Sequence, residues 1–111
     1  MPYINAPYAV NTVQTLLAAN STDYAPTTVI KSIKISNDDN VAIAFDLLLD
    51  GTVNTYILKG VTIPVGAAIC LSDEIQYDGT TTALTIQATP ASGTAAYSVS
   101  MIYKRARIIV R

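Results

Sequence analysis

The chain has 111 residues, of which half are apolar and 14% are charged, and its formal net charge at pH 7 is −1. This length fits one domain that can bury a core without disulfides or metal. The chain contains no histidine, no tryptophan and one cysteine, so a Ser–His or Cys–His nucleophile pair and an intrachain disulfide are excluded. We therefore expect a protein that is not an enzyme, needs no cofactor or metal and acts through its surface.

The first nine residues are predicted to form an extended N-terminal arm. Pro2 and Pro7 disfavour helix at their neighbours and favour extended backbone. The arm would pack either on its own domain or on a neighbouring subunit. Its three large apolar side chains are those of Tyr3, Ile4 and Tyr8. The following segment, residues 10–17, fits a short strand or a short helix, and its pattern leaves both open.

Residues 10–103 are predicted to form the folded domain, because short alternating segments recur between turn residues. Counting residues 10–17, we predict about eight strands in an all-β, antiparallel β-sandwich of jelly-roll-like type, with extended arms at both ends. The other predicted strands are residues 28–36, 41–49, 52–63, 67–71, 75–77, 81–88 and 95–103.

Alternation within these strands also predicts which side chains face the core. The most regular pattern is that of residues 41–49, in which Val41, Ile43, Phe45, Leu47 and Leu49 share one face and Asp46 lies on the other with Ala42, Ala44 and Leu48. In the preceding strand the same period predicts that Val29, Lys31 and Ile33 point inward, with Lys31 near a sheet end. Asp50-Gly51 predicts a tight hairpin, which would pair Phe45 with Tyr56 or with Ile57, depending on the length of the turn.

The remaining polar and sulfur groups offer little for chemistry. Cys70 alternates with Ile69 and Leu71, and we expect a buried, inert thiol. The acidic pairs at residues 38–39 and 73–74 lie in predicted turns, where solvated surface charge is the simpler interpretation than a catalytic dyad or a calcium loop.

Charge is distributed unevenly along the chain. Residues 1–103 hold eight acids and three lysines, a net charge of −5, whereas residues 104–111 hold four cations, a net charge of +4. We predict that residues 104–111 form a basic C-terminal arm that docks on a protein, because a free tail seldom carries an apolar triplet such as residues 108–110. Nucleic acid is not an expected partner, since the acidic body would repel it. The predicted partner-binding residues are Tyr3, Ile4, Tyr8, Lys104, Arg105, Arg107, Ile108, Val110 and Arg111.

The first residues show neither the basic region nor the apolar region of a signal peptide, and no run of apolar residues is long enough for a membrane helix. We expect no membrane partner, and a protein that is made and kept in a cytoplasm or is assembled there into something larger.

The central part of the chain carries a succession of short motifs. It consists of SIKISN at 32–37, DG at 50–51, YILK at 56–59, IPVG at 63–66, Leu71, Ile75, LTIQA at 84–88 and SVS at 98–100. Over roughly residues 28–103 the chain resembles the small jelly-roll decoration proteins, of the cement or staple type, found on tailed-bacteriophage capsids. The resemblance implies a structural protein on the outer surface of the virion that binds the major capsid protein, bridges its subunits and stabilises the shell.

Two further expectations accompany this resemblance. Low charge density and apolar arms predict a homo-oligomer, either a dimer or a trimer, because an assembly would cover that surface. The alternatives are a phage tail, fibre or connector component, or a carbohydrate-binding β-sandwich. The last is weakened by the absence of tryptophan, since such sites commonly stack sugars on exposed aromatic rings.

Overall fold

The computed structural model describes residues 3–20 and 27–106, and these residues form nine strands and no helix. The strands are β1 (Tyr3–Tyr8), β2 (Gln14–Leu17), β3 (Thr27–Asn37), β4 (Ile43–Asp50), β5 (Thr55–Ile63), β6 (Ala68–Leu71), β7 (Ile75–Asp78), β8 (Ala83–Pro90) and β9 (Tyr97–Ala106).

The strands form two antiparallel sheets packed face to face. Sheet A has the order β1-β9-β3-β6, with β7 also paired to β3, and sheet B has the order β2-β8-β4-β5. Because β6 and β7 both pair with β3, they act as one interrupted strand. The chain then pairs as one long, folded hairpin, in which each pair of strands lies inside the one before it: β1·β9, β2·β8, β3·β6/β7 and β4·β5. This nesting is the jelly-roll arrangement. The prediction of an all-β antiparallel sandwich is confirmed.

The core lies between the two sheets and follows the predicted alternation in β4, β8 and β9. The inward side chains of these strands are almost completely buried: Ile43, Phe45, Leu47, Leu84, Ile86, Ala88, Tyr97, Val99 and Met101. The Phe45 ring meets the Tyr97 ring edge to face, with their centroids 5.2 Å apart. Tyr8 stacks on the same ring at 5.2 Å, so strand β1 contributes to the core.

A bulge in β3 overturns the predicted inward position of Lys31. The pairing of β3 with β9 shifts its register between Ile30 and Ser32, which inserts one extra residue at Lys31. The faces therefore exchange at this point, and Thr28 and Ile30 are buried where Val29 and Lys31 were expected. The Lys31 ammonium lies partly exposed, with its Nζ 2.6 Å from Oε1 of Glu74.

The connection between β4 and β5 differs from both predicted hairpins. Phe45 pairs with Val61 and not with Tyr56 or Ile57. The loop is longer than a tight turn, and the pairing shifts its register on both sides of Leu47. A local hydrogen bond accompanies this irregularity, since the Gly60 N–H donates to Oδ1 of Asp46 at 2.6 Å and Gly60 adopts a φ of 61°.

Asn37, the last residue of β3, connects the two sheets. Its side chain is 4% exposed, and its Nδ2 donates hydrogen bonds to the carbonyl oxygens of Val41 and Ile63, both at 2.9 Å. Ile63 ends β5 in sheet B, so one amide closes this end of the sandwich. Its Oδ1 accepts a hydrogen bond from the Asp39 N–H at 2.8 Å, which fixes the turn that follows.

Both predicted arms contribute strands to sheet A. Residues Tyr3–Tyr8 pair with β9, so this segment packs on its own domain. Strand β9 extends past the predicted domain end at residue 103, because Lys104 pairs with Val29 and Arg105 pairs with Thr28. Residues 107–111 lie outside the described residues.

Candidate binding surface

The outward side chains of sheet A lie in rows that cross the strands. Tyr3 of β1 is opposite Ile102 of β9, which is opposite Ser32 of β3. Two residues further along these strands, a second row crosses the whole sheet. Its members are Asn5, Ser100, Lys34 and Cys70. The surface is therefore assembled from four segments that are distant in the sequence.

These two rows line a shallow, mainly apolar groove of about 650 Å³. The groove forms because the central outward residues, Ser32 and Ser100, are small. Larger apolar side chains flank them: Tyr3 is 69% exposed and Ile102 is 42% exposed. We call this surface, with Lys34 and Cys70, the sheet A groove.

Cys70 lies exposed in the sheet A groove, and the prediction of a buried thiol is wrong. Its neighbours Ile69 and Leu71 do point toward the core, as the alternation requires. Alternation shows that Cys70 faces away from them, but it does not show whether anything covers that outer face. Here nothing in the described part of the chain covers it.

The cations of sheet A differ in their partners. Lys31 is paired with Glu74, whereas neither Lys34 nor Lys104 forms a salt bridge within the described residues. Lys34 lines the groove directly, and Lys104 follows Ile102 on the exposed side of β9. Arg105 instead directs an Nη2 hydrogen bond of 2.9 Å to the carbonyl oxygen of Ala18. Among the described residues, the open cations of this face are therefore Lys34 and Lys104.

The structure separates the predicted partner-binding residues. Tyr3 and Lys104 lie exposed on sheet A. Ile4 and Tyr8 pack against the core instead, and Arg105 is half-buried. The other predicted residues, Arg107, Ile108, Val110 and Arg111, lie outside the described residues.

Sequence reasoning missed Ile102, Lys34 and Cys70 as candidate site residues. The sequence does contain one sign of this surface. Ile102 is the only large apolar side chain on the otherwise polar face of the last strand, where it follows Ser98 and Ser100. The cross-strand neighbours of Ile102 cannot be read from one strand alone.

The opposite face of the sandwich, on sheet B, is more acidic. A small pocket of about 120 Å³ lies there, with Asp46, Asp50 and Tyr56 among its lining residues. The Lys59 ammonium lies 5.0 Å from the centroid of the Tyr56 ring, a cation–π contact. Tyr3 and Tyr56 therefore lie on different faces, and no two exposed tyrosines share a sheet face within residues 3–20 and 27–106.

The shifted pKa values of the described residues have structural causes. Burial raises the pKa of Tyr97 to about 12. Burial also raises the pKa of Tyr77, and the nearby Arg105 guanidinium opposes this rise. Hydrogen bonds from Thr80 lower the pKa of the exposed Asp78 carboxyl. None of these three groups lines the sheet A groove.

The described residues contain neither a metal-binding cluster nor a membrane-spanning helix. No three cysteine or carboxylate side chains there cluster closely enough to hold a metal ion. No helix among those residues has the length and apolar character to cross a membrane.

No protein-family model matches the chain, and no curated protein matches it.

Proposed function

We propose that this protein is a non-enzymatic structural component of a virion: a decoration protein that binds the outer surface of a tailed-phage capsid and bridges major capsid subunits. The supporting observation is a jelly-roll sandwich that carries an open, mainly apolar groove on the outer face of sheet A. Jelly rolls serve viral capsids, lectins and other proteins alike. The fold alone therefore does not identify a function, and the proposal depends on the properties of the surface.

The acidic side chains support a structural role, because several of them hold the backbone of turns and bulges. Asp46 binds the Gly60 N–H, and Asp39 accepts a hydrogen bond from the Ala96 N–H at 3.3 Å. Asp38 accepts a hydrogen bond from the Ser98 hydroxyl. Carboxylates used in this way stabilise loops and are poorly placed to exchange protons with a substrate.

The sheet A groove suits a protein partner better than a small molecule. It is shallow and open, and its most prominent side chain is the exposed Tyr3. Small-molecule sites usually enclose most of their ligand, whereas protein interfaces are broad and enriched in tyrosine. A rigid sandwich with such a face can span the junction between two capsid subunits and add contact area there.

The proposal is tested by mixing purified protein with expanded, empty capsids that lack it and separating the particles by sedimentation. We expect saturable binding, with density on the outer surface in electron micrographs and more than one copy in each cluster, as a homo-oligomer requires. Failure to bind capsids, together with binding to tails or to a glycan array, would contradict the proposal. The carbohydrate alternative gains no support from the described tyrosines, since the two exposed ones lie on different faces.

A further inference from the structure

We infer that the sheet A groove is the surface on which the protein partner docks, and that the partner segment carries an apolar side chain next to a carboxylate. The identification of that partner as a capsid subunit rests on the proposed function. The chemistry of the segment is argued from the groove itself.

Two exposed apolar side chains in the groove indicate that the partner contributes an apolar group. Tyr3 and Ile102 are directly opposite each other on β1 and β9, and both leave a large fraction of their side chains in contact with water. Covering adjacent apolar groups is favourable by about 25 cal/mol per Å² of buried area. The small residues between them leave room for an inserted side chain, as Ser32 and Ser100 do not fill the groove.

The ammonium group of Lys34 indicates that the partner contributes a carboxylate. This side chain lines the groove, and no described carboxylate pairs with it, although Lys31 on the same strand has Glu74 as its partner. Lys104 adds a second unpaired ammonium on β9, within the described part of the chain. A partner that buried Lys34 without supplying a counter-charge would leave an unpaired ammonium, which is costly. A segment with a carboxylate is therefore favoured.

The same charges argue against a second copy bound through the same face. A symmetric pair would bring two lysine-bearing surfaces together, and like charges across an interface disfavour association. The acidic face of sheet B on another copy is the remaining self-partner, and the experiment below separates it from a capsid subunit. Nucleic acid is disfavoured, because the apolar lining of the groove offers no further cations for phosphates.

Matched variants on the two faces test the inference. Tyr3→Ser and Lys34→Glu alter the groove, and Tyr56→Ser and Lys59→Glu make the same changes on sheet B, at positions that are also exposed. We expect each groove variant to bind expanded capsids about tenfold more weakly than the wild type. Each sheet B variant should bind like the wild type, and circular dichroism should show all four to be folded.

The single cysteine provides a measurement on the unaltered protein. Cys70 lies in the groove and is the only thiol in the chain. We expect a maleimide to label Cys70 readily in the free protein. On the capsid the labelling rate should fall about tenfold, because a bound segment would block access to the thiol.

The outcomes separate the inference from the proposed function. If the wild type binds capsids, but the groove variants bind equally well and Cys70 stays reactive, the inference is overturned and the proposed function stands. If Cys70 is protected in a free oligomer that forms with increasing concentration, a second copy occupies the groove and the inference is overturned. If the wild type does not bind capsids at all, the proposed function fails, and the identity of the occupant fails with it.

Discussion

Replacing Tyr97 with phenylalanine is expected to stabilise the protein. Tyr97 is fully buried, and its hydroxyl has no hydrogen-bond partner among the described residues. A buried polar group without a partner costs about 1–3 kcal/mol. The Tyr97→Phe variant keeps the ring and its contacts with Tyr8 and Phe45 and removes only the hydroxyl. We expect its free energy of unfolding at pH 7 to exceed that of the wild type by about 1 kcal/mol.

The stabilisation should grow in alkaline solution. The pKa of Tyr97 is raised from 10.0 to about 12 in the folded protein, because burial disfavours the phenolate. The proton is therefore held more tightly in the folded state than in the unfolded state. The stability that the wild type gains from this tighter proton binding is fully present below pH 10 and is lost as the pH rises toward 12. One pH unit in this range corresponds to about 1.4 kcal/mol, so the variant should be about 2 kcal/mol more stable than the wild type at pH 11.

Urea unfolding followed by circular dichroism at pH 7 and pH 11 provides the measurement. Other groups that titrate in this range, such as Tyr77, are present in both proteins and cancel in the comparison. The matched control is Tyr3→Phe, at an exposed tyrosine, which should leave stability unchanged at both pH values. A Tyr97→Phe variant less stable than the wild type at pH 7 would refute the reasoning, because it would show that the hydroxyl is hydrogen-bonded in solution. A difference that did not change with pH would refute the argument from the pKa.

Two other substitutions test the features that sequence analysis did not predict. Asn37→Ala should lower the free energy of unfolding by about 3 kcal/mol, because two carbonyl oxygens lose their hydrogen-bond donor. Asn37→Asp should not restore the lost stability, since a carboxylate has no N–H. An Asn37→Ala variant as stable as the wild type would contradict the role given to this amide. Gly60→Ala should cost about 1 kcal/mol, because the φ of 61° strains any residue with a Cβ. The matched Gly60→Asn should cost less; equal losses in the two variants would place the cause elsewhere.

The fold class and much of the core could be predicted from the sequence, because both depend on local patterns. Strand β4 follows a period of two, and the large apolar residues on its inward face, Ile43, Phe45, Leu47 and Leu49, are buried, whereas Leu48 on the other face is only partly buried. Strand β9 does the same from Tyr97 to Met101. Because side chains alternate along a strand, the sequence shows which residues share a face, and this does not depend on which strands are neighbours.

The errors arose where the structure depends on which strands are neighbours. The bulge at Lys31 lies in a strand that pairs with three other strands along its length, and its one extra residue reverses the faces. The irregular register of β4 with β5 is tied to a hydrogen bond between Asp46 and Gly60, which are 14 residues apart. Cys70 shows a different limit, since alternation relates residues within a strand but does not reveal which sheet face is covered.

The candidate binding surface had to be found from the structure for the same reason. Sequence analysis located the binding residues in the two terminal segments, because linear clusters of apolar or basic residues are visible in a sequence. The sheet A groove instead collects two or three residues from each of four strands, and the jelly-roll order makes these strands adjacent. Its outward side chains contribute little to the core, so substitutions there should change binding while leaving stability intact. Substitutions at inward residues of the same strands that do not line the groove, such as Val99, should lower stability and leave binding intact.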